Sequence, residues 1–301
     1  MTNPTLTPRA WAELLLLGLI WGASFFSIAT ALEEIGPLTS VLYRTGIAAL
    51  AIWPVLIWRG IAPPRGLATW GALAIMGLLN NVVPFSLMAW GQLFVPTGLT
   101  SILNATTAIF GVLIAAVVFA DERLSLRKSV GVLIGFGGVA TAIGPSAILD
   151  LDLTSLGQLA ILLGTVSYAC AGAWARKTLA HLHPVAAAVG MLTSSTVLMV
   201  PLSLSIEGWP TVDHGAQTWL AVLYYALVAT AFAYLLYYRV LAMAGAGNLL
   251  LVTLVIPPVA IVLGAQFRGE VLAPTAYAGL ALLALGLLII DGRLLRWIGK
   301  D

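Results

Sequence analysis

Charge is the scarcest thing in this chain. Of 301 residues, 14 are Lys or Arg and 12 are Asp or Glu, 9% together, where a soluble domain carries about a quarter. So few ions cannot coat a globule of this size, which excludes a water-soluble domain. A nucleic-acid-binding protein, which needs a basic patch, is excluded with it. One cysteine, Cys170, rules out an internal disulfide and a thiolate metal cluster. There is no glycine-rich phosphate loop, and the His181/His183 pair lacks the further ligands a metal would need. What the chain has instead is 60% hydrophobic residues and a mean hydropathy of +1.02. The solvent for most of its surface is lipid.

A spanning helix needs roughly 20 apolar residues. Ten runs meet that length, near Ala10–Leu32, Leu38–Trp58, Leu67–Gly91, Thr97–Ala120, Leu126–Ile143, Leu156–Ala175, Pro184–Ser205, Gln217–Tyr238, Ala246–Gln266 and Leu272–Ile290. They are continuous rather than alternating, which predicts an all-α integral membrane protein with ten transmembrane helices and not a β-barrel. The short connections leave no room for an extramembrane domain. Arg9 and the run after it imitate a cleavable signal peptide. That run is longer than a signal core, so the first helix is expected to stay.

Basic residues gather on one side. With the N-terminus in the cytoplasm, the inner loops and tails hold Arg9, Arg59, Arg65, Arg123, Arg127, Lys128, Arg176, Lys177, Arg239, Arg293, Arg296 and Lys300, and the outer loops hold Arg268 alone. This bias places both ends in the cytoplasm. The outer loops collect acids instead: Glu33, Glu34, Asp150, Asp152, Glu207 and Asp213.

The chain also repeats itself. Pro37 and Pro54 are seventeen residues apart, as are Pro184 and Pro201, and each pair brackets a helix. Glu122, Leu124, Gly131 and Gly138 recur as Glu270, Leu272, Gly279 and Gly286. The offsets, 147 and 148, differ by a single gap. Residues 1–148 and 149–301 are thus two five-helix repeats forming one structural unit. Five is odd, so the second must lie upside down relative to the first. Inverted repeats give two packings open to opposite sides around a midplane site, which is transporter architecture.

Trp21-Gly22-Ala23-Ser24-Phe25, Tyr43-Arg44, the run from Thr97 to Asn104, Asp121-Glu122-Arg123-Leu124-Ser125 and Gly131 together resemble the drug/metabolite transporter superfamily, EamA branch. The resemblance covers essentially the whole chain, and within the superfamily the bacterial exporters of amino acids and aromatic metabolites look nearest. It implies a central cavity lined by helices one to four and six to nine, with the fifth and tenth at the periphery. Many relatives carry a proline in the middle of the fourth helix, where this chain has Ile109. The ninth helix keeps its equivalent, Pro257. The related four-helix multidrug exporters use a glutamate in the middle of their first helix, and this chain has none there.

Arg44 is the one ionisable group well inside a predicted helix. A charge in that place is functional by default, and a guanidinium can grip a carboxylate bidentately. A structural arginine that bridges helix ends is the competing reading. Trp21, Ser24 and Phe25 share one face of the first helix. Asn80, Asn81, Asn104, Asn248, Tyr168 and Tyr234 are further polar or aromatic candidates for a lining that suits neutral or zwitterionic, partly apolar solutes. Pro84 and Pro257-Pro258 are candidate hinges. Gly131 and Gly135 mark close helix packing, within the chain or between copies.

These readings predict an exporter of small metabolites, amino acids foremost, working by alternating access. With no buried acid in the pathway, facilitated movement is expected rather than carboxylate-based proton coupling. No catalytic residue, cofactor or metal is expected, nor a nucleic-acid partner. The partners are a small-molecule substrate and the bilayer, and the chain is expected to be a monomer or weak homodimer. The alternatives are a multidrug or organic-cation exporter of the same fold, or an intramembrane enzyme on lipid phosphates, which would need more buried charge than Arg44.

Overall fold

The computed structural model describes residues 7–144, 153–249 and 251–292, with the backbone alone for 246–248. The proposed repeat boundary at 148/149, Asp150, Asp152, Arg293, Arg296, Lys300 and the side chain of Asn248 lie outside the described residues. Ten helical spans follow one another: α1 Pro8–Ala31, α2 Pro37–Trp58, α3 Leu67–Gly91, α4 Thr97–Val118, α5 Leu126–Ile143, α6 Leu153–Thr178, α7 Pro184–Ile206, α8 Ala216–Gly245, α9 Val252–Arg268 and α10 Pro274–Asp291. Among the described residues there is no strand, and nine spans are long and apolar enough to cross a bilayer; α9, with 17 residues, is shorter.

The starts are written locally. Thr7 Oγ1 accepts the Ala10 N–H of α1 at 3.2 Å, and Ser125 Oγ accepts that of Lys128 in α5 at 3.3 Å. Pro37, Pro184 and Pro274 open α2, α7 and α10, where a missing N–H costs nothing. His183, expected in a solvated loop, caps α7 by accepting the Val185 N–H at 3.2 Å.

Several expected boundaries move. Pro54 and Pro201 lie inside α2 and α7 rather than closing them. The fourth span, expected as one helix, breaks between Asn104 and Thr107. Helix α8 runs on beyond Tyr238 until Gly245, whose φ of 77° no helix can hold, and one more turn ends at Leu249. Helix α9 begins at Val252 and carries Pro257 and Pro258 inside it rather than breaking there. In α3 the expected break is a π segment, Leu78–Val82, just before Pro84. Helix α8 has a π segment too, Tyr224–Phe232, with no proline nearby. The offset of 147 maps the first π segment into the second, so the irregularity belongs to the repeat and not to the proline.

Inversion is directly visible where repeat-equivalent helices meet. Helices α5 and α10 cross antiparallel, glycine on glycine: a Cβ on Gly131 would stand 2.7 Å from the Gly286 carbonyl, and one on Gly138 would stand 2.7 Å from that of Gly279. Helices α2 and α7 also run antiparallel, with Thr39 Oγ1 at 2.9 Å from Ser203 Oγ at one end and Trp53 Nε1 donating to Thr193 Oγ1 at 3.0 Å towards the other. Around these two pairs the first helix of each repeat is exchanged, α1 packing on α8 and α9, α6 on α3 and α4.

The two ends of the bundle differ. One carries the loops with Glu33, Glu34, Glu207 and Glu270 and is called the acidic face here; the opposite one is the basic face. On the acidic face carboxylates cap helix starts across the repeats. Glu207 accepts the Leu38 and Thr39 N–H groups of α2 at 2.9 and 2.7 Å, Glu270 those of Thr97 and Gly98 in α4 at 3.0 and 3.3 Å, and Glu34 that of Gly215 before α8 at 2.8 Å. Each places a full negative charge on the positive end of a helix dipole. Ion pairs tie the basic face: Arg239 to Glu13 at 2.5 Å, and Arg176 to Asp121 at 2.6 Å.

The backbone bond from Gly215, and after it the Thr218 hydroxyl, hold the Glu34 carboxyl below its ordinary range. A depressed carboxyl contributes stability above its unfolded pKa and loses it as pH falls through the folded one. The Glu34→Gln variant is therefore expected to melt below wild type at about pH 7 and to converge with it as the pH drops below about 4. Melting curves in detergent across that window check this, and a pH-independent difference would contradict it.

Candidate functional site

Arg44 lies on α2 with its guanidinium 3.8 Å over the centre of the Phe85 ring of α3, an attraction between cation and ring face. Its Nε donates to Thr230 Oγ1 of α8 at 2.9 Å, and that hydroxyl donates onward to the Tyr225 carbonyl at 2.7 Å. The latter is a carbonyl of the π segment, where α-helical bonding is interrupted. Among the described residues, the Nη groups of Arg44 have no hydrogen-bond partner and no carboxylate pairs with it. The bundle thus holds an uncompensated cation against three helices. The residue is only partly exposed.

Beside it stands a polar network built on the π segment of α3. Asn81 Oδ1 accepts from Asn80 Nδ2 and from the Tyr234 hydroxyl, each at 3.1 Å; Asn81 Nδ2 donates to Ser195 Oγ of α7 at 2.9 Å. Asn80 Nδ2 also reaches Tyr234 Oη at 3.0 Å. Asn81 is fully buried, and both polar atoms of its side chain are hydrogen-bonded. Asn80 is half-buried, and its Oδ1 keeps no partner among the described residues. Tyr168 of α6 stands edge-on to Phe85 at 6.3 Å. Arg44, Asn80, Asn81, Tyr168 and Tyr234 therefore come together from five helical spans counting α7's Ser195.

The other sequence candidates lie elsewhere. Trp21 Nε1 donates to the Ala229 carbonyl, in the α8 π segment, at 3.1 Å, and its ring lies 5.9 Å from that of Tyr237. Phe25 packs with Ile256 and Ala260 of α9. Ser24 Oγ returns to the Trp21 carbonyl at 2.7 Å. Side-chain contacts of these three run to α8, α9 or their own helix, while the Phe25 carbonyl is held from the end of α3 by Gln92. Asn104 ends the first segment of α4; its carbonyl accepts the Thr107 hydroxyl at 2.8 Å, while its half-buried amide has no partner among the described residues. Thr230, Phe85 and Ser195 were not among the candidates. A threonine or serine in an apolar run carries no sequence signal of its partner, because that is set by helices distant in sequence.

The site is also asymmetric between repeats, since the position equivalent to Arg44 at the 147 offset is Met191. The surroundings differ from end to end as well. From Thr97 to Leu103 every residue of α4 is buried, whereas from Phe110 to Val118 none is. Gln92 Nε2, at the end of α3, donates to the Phe25 carbonyl at 3.1 Å and joins α3 to α1 towards the acidic face. No group of three metal-ligating side chains exists among the described residues.

Comparison with known proteins follows the same outline. A probable terminal-alkyne amino-acid exporter of Streptantibioticus cattleyicolor is 26% identical over 293 residues, 96% of this chain and 95% of its own. A probable amino-acid metabolite efflux pump of Escherichia coli is also 26% identical, covering 94% of each chain. A crystal structure only 16% identical shares the fold, with a TM-score of 0.68 over 94% of this chain and 97% of that one. The EamA-like transporter family matches residues 10–144 and again residues 155–291. The protein is thus a multi-pass membrane transporter rather than an enzyme, and it belongs to the EamA-like transporter family.

Proposed function

We propose that the protein exports small zwitterionic metabolites, chiefly amino acids with aromatic or apolar side chains, across the bacterial cytoplasmic membrane. The observation that carries this reading is Arg44, whose Nη donors and charge have no partner among the described residues, in one cluster with Asn80, whose acceptor has none among them either. The guanidinium would take a carboxylate in a fork, Asn80 Oδ1 an ammonium, and the rings of Phe85, Tyr168 and Tyr234 the apolar part. A cation is disfavoured beside Arg44, which argues against the organic-cation alternative. Two relatives bear names of amino-acid exporters, in line with this substrate class.

In this reading both ends are cytoplasmic and the basic face is inside. The inverted repeats provide packings open to opposite sides, and the π segments of α3 and α8 are where the helices flex.

Purified protein in liposomes, assayed for counterflow with a panel of amino acids and organic cations, tests the class. Zwitterions with ring or aliphatic side chains are expected to exchange and monovalent cations not; the reverse ranking would refute the proposal. Among the described residues no acid pairs with Arg44, so a protonophore is expected to leave counterflow intact at clamped potential, and full loss would refute facilitated movement. Asn80→Ala, which removes the free acceptor, is expected to raise the half-saturation concentration about tenfold, the worth of one hydrogen bond to a charged group. An unchanged value would remove Asn80 from the site.

A further inference from the structure

A second recess lies apart from the Arg44 centre, on the acidic face between α1, α8 and α9. It encloses about 280 Å³ and is lined by Phe26, Thr30, Glu33, Gln217, Phe267 and Arg268. The rings of Phe26 and Phe267 stand 5.7 Å apart at a tilt of 51°. Arg268 Nη1 donates to Glu33 Oε1 at 2.6 Å, and its Nε lies 3.6 Å from Glu270 Oε1. Glu270 is committed to the start of α4. Among the described residues, Arg268 Nη2 and the Gln217 amide have no hydrogen-bond partner. Glu33 is more than half exposed.

The recess therefore offers a cationic arm, a solvated carboxylate, a free amide and two ring faces within one small volume. A simple cation meets Arg268 there, and a simple anion meets Glu33. A molecule carrying both charges with an apolar group satisfies all the features, exchanging one internal ion pair for two.

We propose that this recess is a second zwitterion site, weaker than the central one. The carboxylate is taken by Arg268 and Gln217, the ammonium by Glu33, and the apolar side chain lies against Phe26 and Phe267. The inference rests on the reading of the transported solute as an amino acid, and it adds a station at the acidic mouth that solute occupies after leaving Arg44. Weakness follows from the resident ion pair, which must open first. The same pairing of charges is offered by an ethanolamine phospholipid headgroup, and the experiment separates the two.

Equilibrium binding of L-phenylalanine is measured on purified protein in nanodiscs, with and without phosphatidylethanolamine. Two sites per chain are expected in both lipids. Arg268→Gln is expected to remove the weaker site and leave the tighter; Arg44→Gln does the opposite, so failure of either assignment is seen separately. Gln217→Ala breaks no internal contact and guards against a folding effect; it is expected to weaken the second site about threefold, and Phe267→Ala about fivefold. One site in wild type overturns the inference, as does a weaker site that survives both Arg268→Gln and Gln217→Ala. Loss of the weaker site when phosphatidylethanolamine is present assigns the recess to the lipid headgroup and equally overturns it.

Discussion

Gly138→Leu is expected to destabilise the bundle strongly where Gly137→Leu, one residue earlier on the same helix, is tolerated. A Cβ on Gly138 would come within 2.6 Å of the Leu283 nitrogen and 2.7 Å of the Gly279 carbonyl, both backbone atoms of α10, whereas one on Gly137 meets nothing within 4 Å. Backbone cannot swing aside as a side chain can, so α5 and α10 must separate. Helices in lipid associate by close packing rather than by a hydrophobic drive, and glycine makes this crossing possible. Overpacking costs about 3 kcal/mol at its upper range, which lowers Tm by roughly 10 °C for a chain of this size. Gly279→Leu, blocked at 2.5 Å by Ala142 N and the Gly138 carbonyl, is expected to match it, since the crossing obeys the repeat symmetry. Melting and size-exclusion profiles of the three variants in one detergent decide the matter. Equal tolerance of all three would contradict the crossing.

Arg44→Gln carries the second large effect, on transport rather than on folding. The substitution keeps an amide that can reach Thr230 and abolishes the charge. A charge-assisted bond to a carboxylate contributes about 1.5–3 kcal/mol, so the half-saturation concentration for amino-acid counterflow is expected to rise roughly 10- to 150-fold. Arg44→Lys restores the charge without the fork and is expected to fall between the two. The position has no counter-ion among the described residues, so neutralising it leaves none of their acids unpaired and the variant is expected to remain folded. A correctly folded Arg44→Gln protein with wild-type saturation would return Arg44 to the structural role.

Much of this fold is legible in the sequence because lipid makes it so. Apolar runs of spanning length have one solution, and the odd number of helices per repeat makes inversion unavoidable once Pro37/Pro184 and Gly131/Gly279 are seen as equivalents. Boundaries within the spans are less legible. The π segment of α3 has Pro84 beside it, but that of α8 has only Thr230, whose hydroxyl bonds the Tyr225 carbonyl five residues back. Glu34, Glu207 and Glu270 read as loop charges, yet each caps a helix from the other repeat. Arg44 stands out as a lone charge in an apolar stretch, but its partners on α3 and α8, Phe85 and Thr230, do not. Those partners follow from how the helices cross, which no periodicity along a single helix encodes.

The account stands or falls on a carboxylate meeting Arg44 between the repeats. The most direct measurement is counterflow by wild-type protein of L-phenylalanine against phenylethylamine, which has the same ring and ammonium and lacks only the carboxylate. Exchange of the amino acid with little or none of the amine is the predicted result. Equal exchange of both would contradict it.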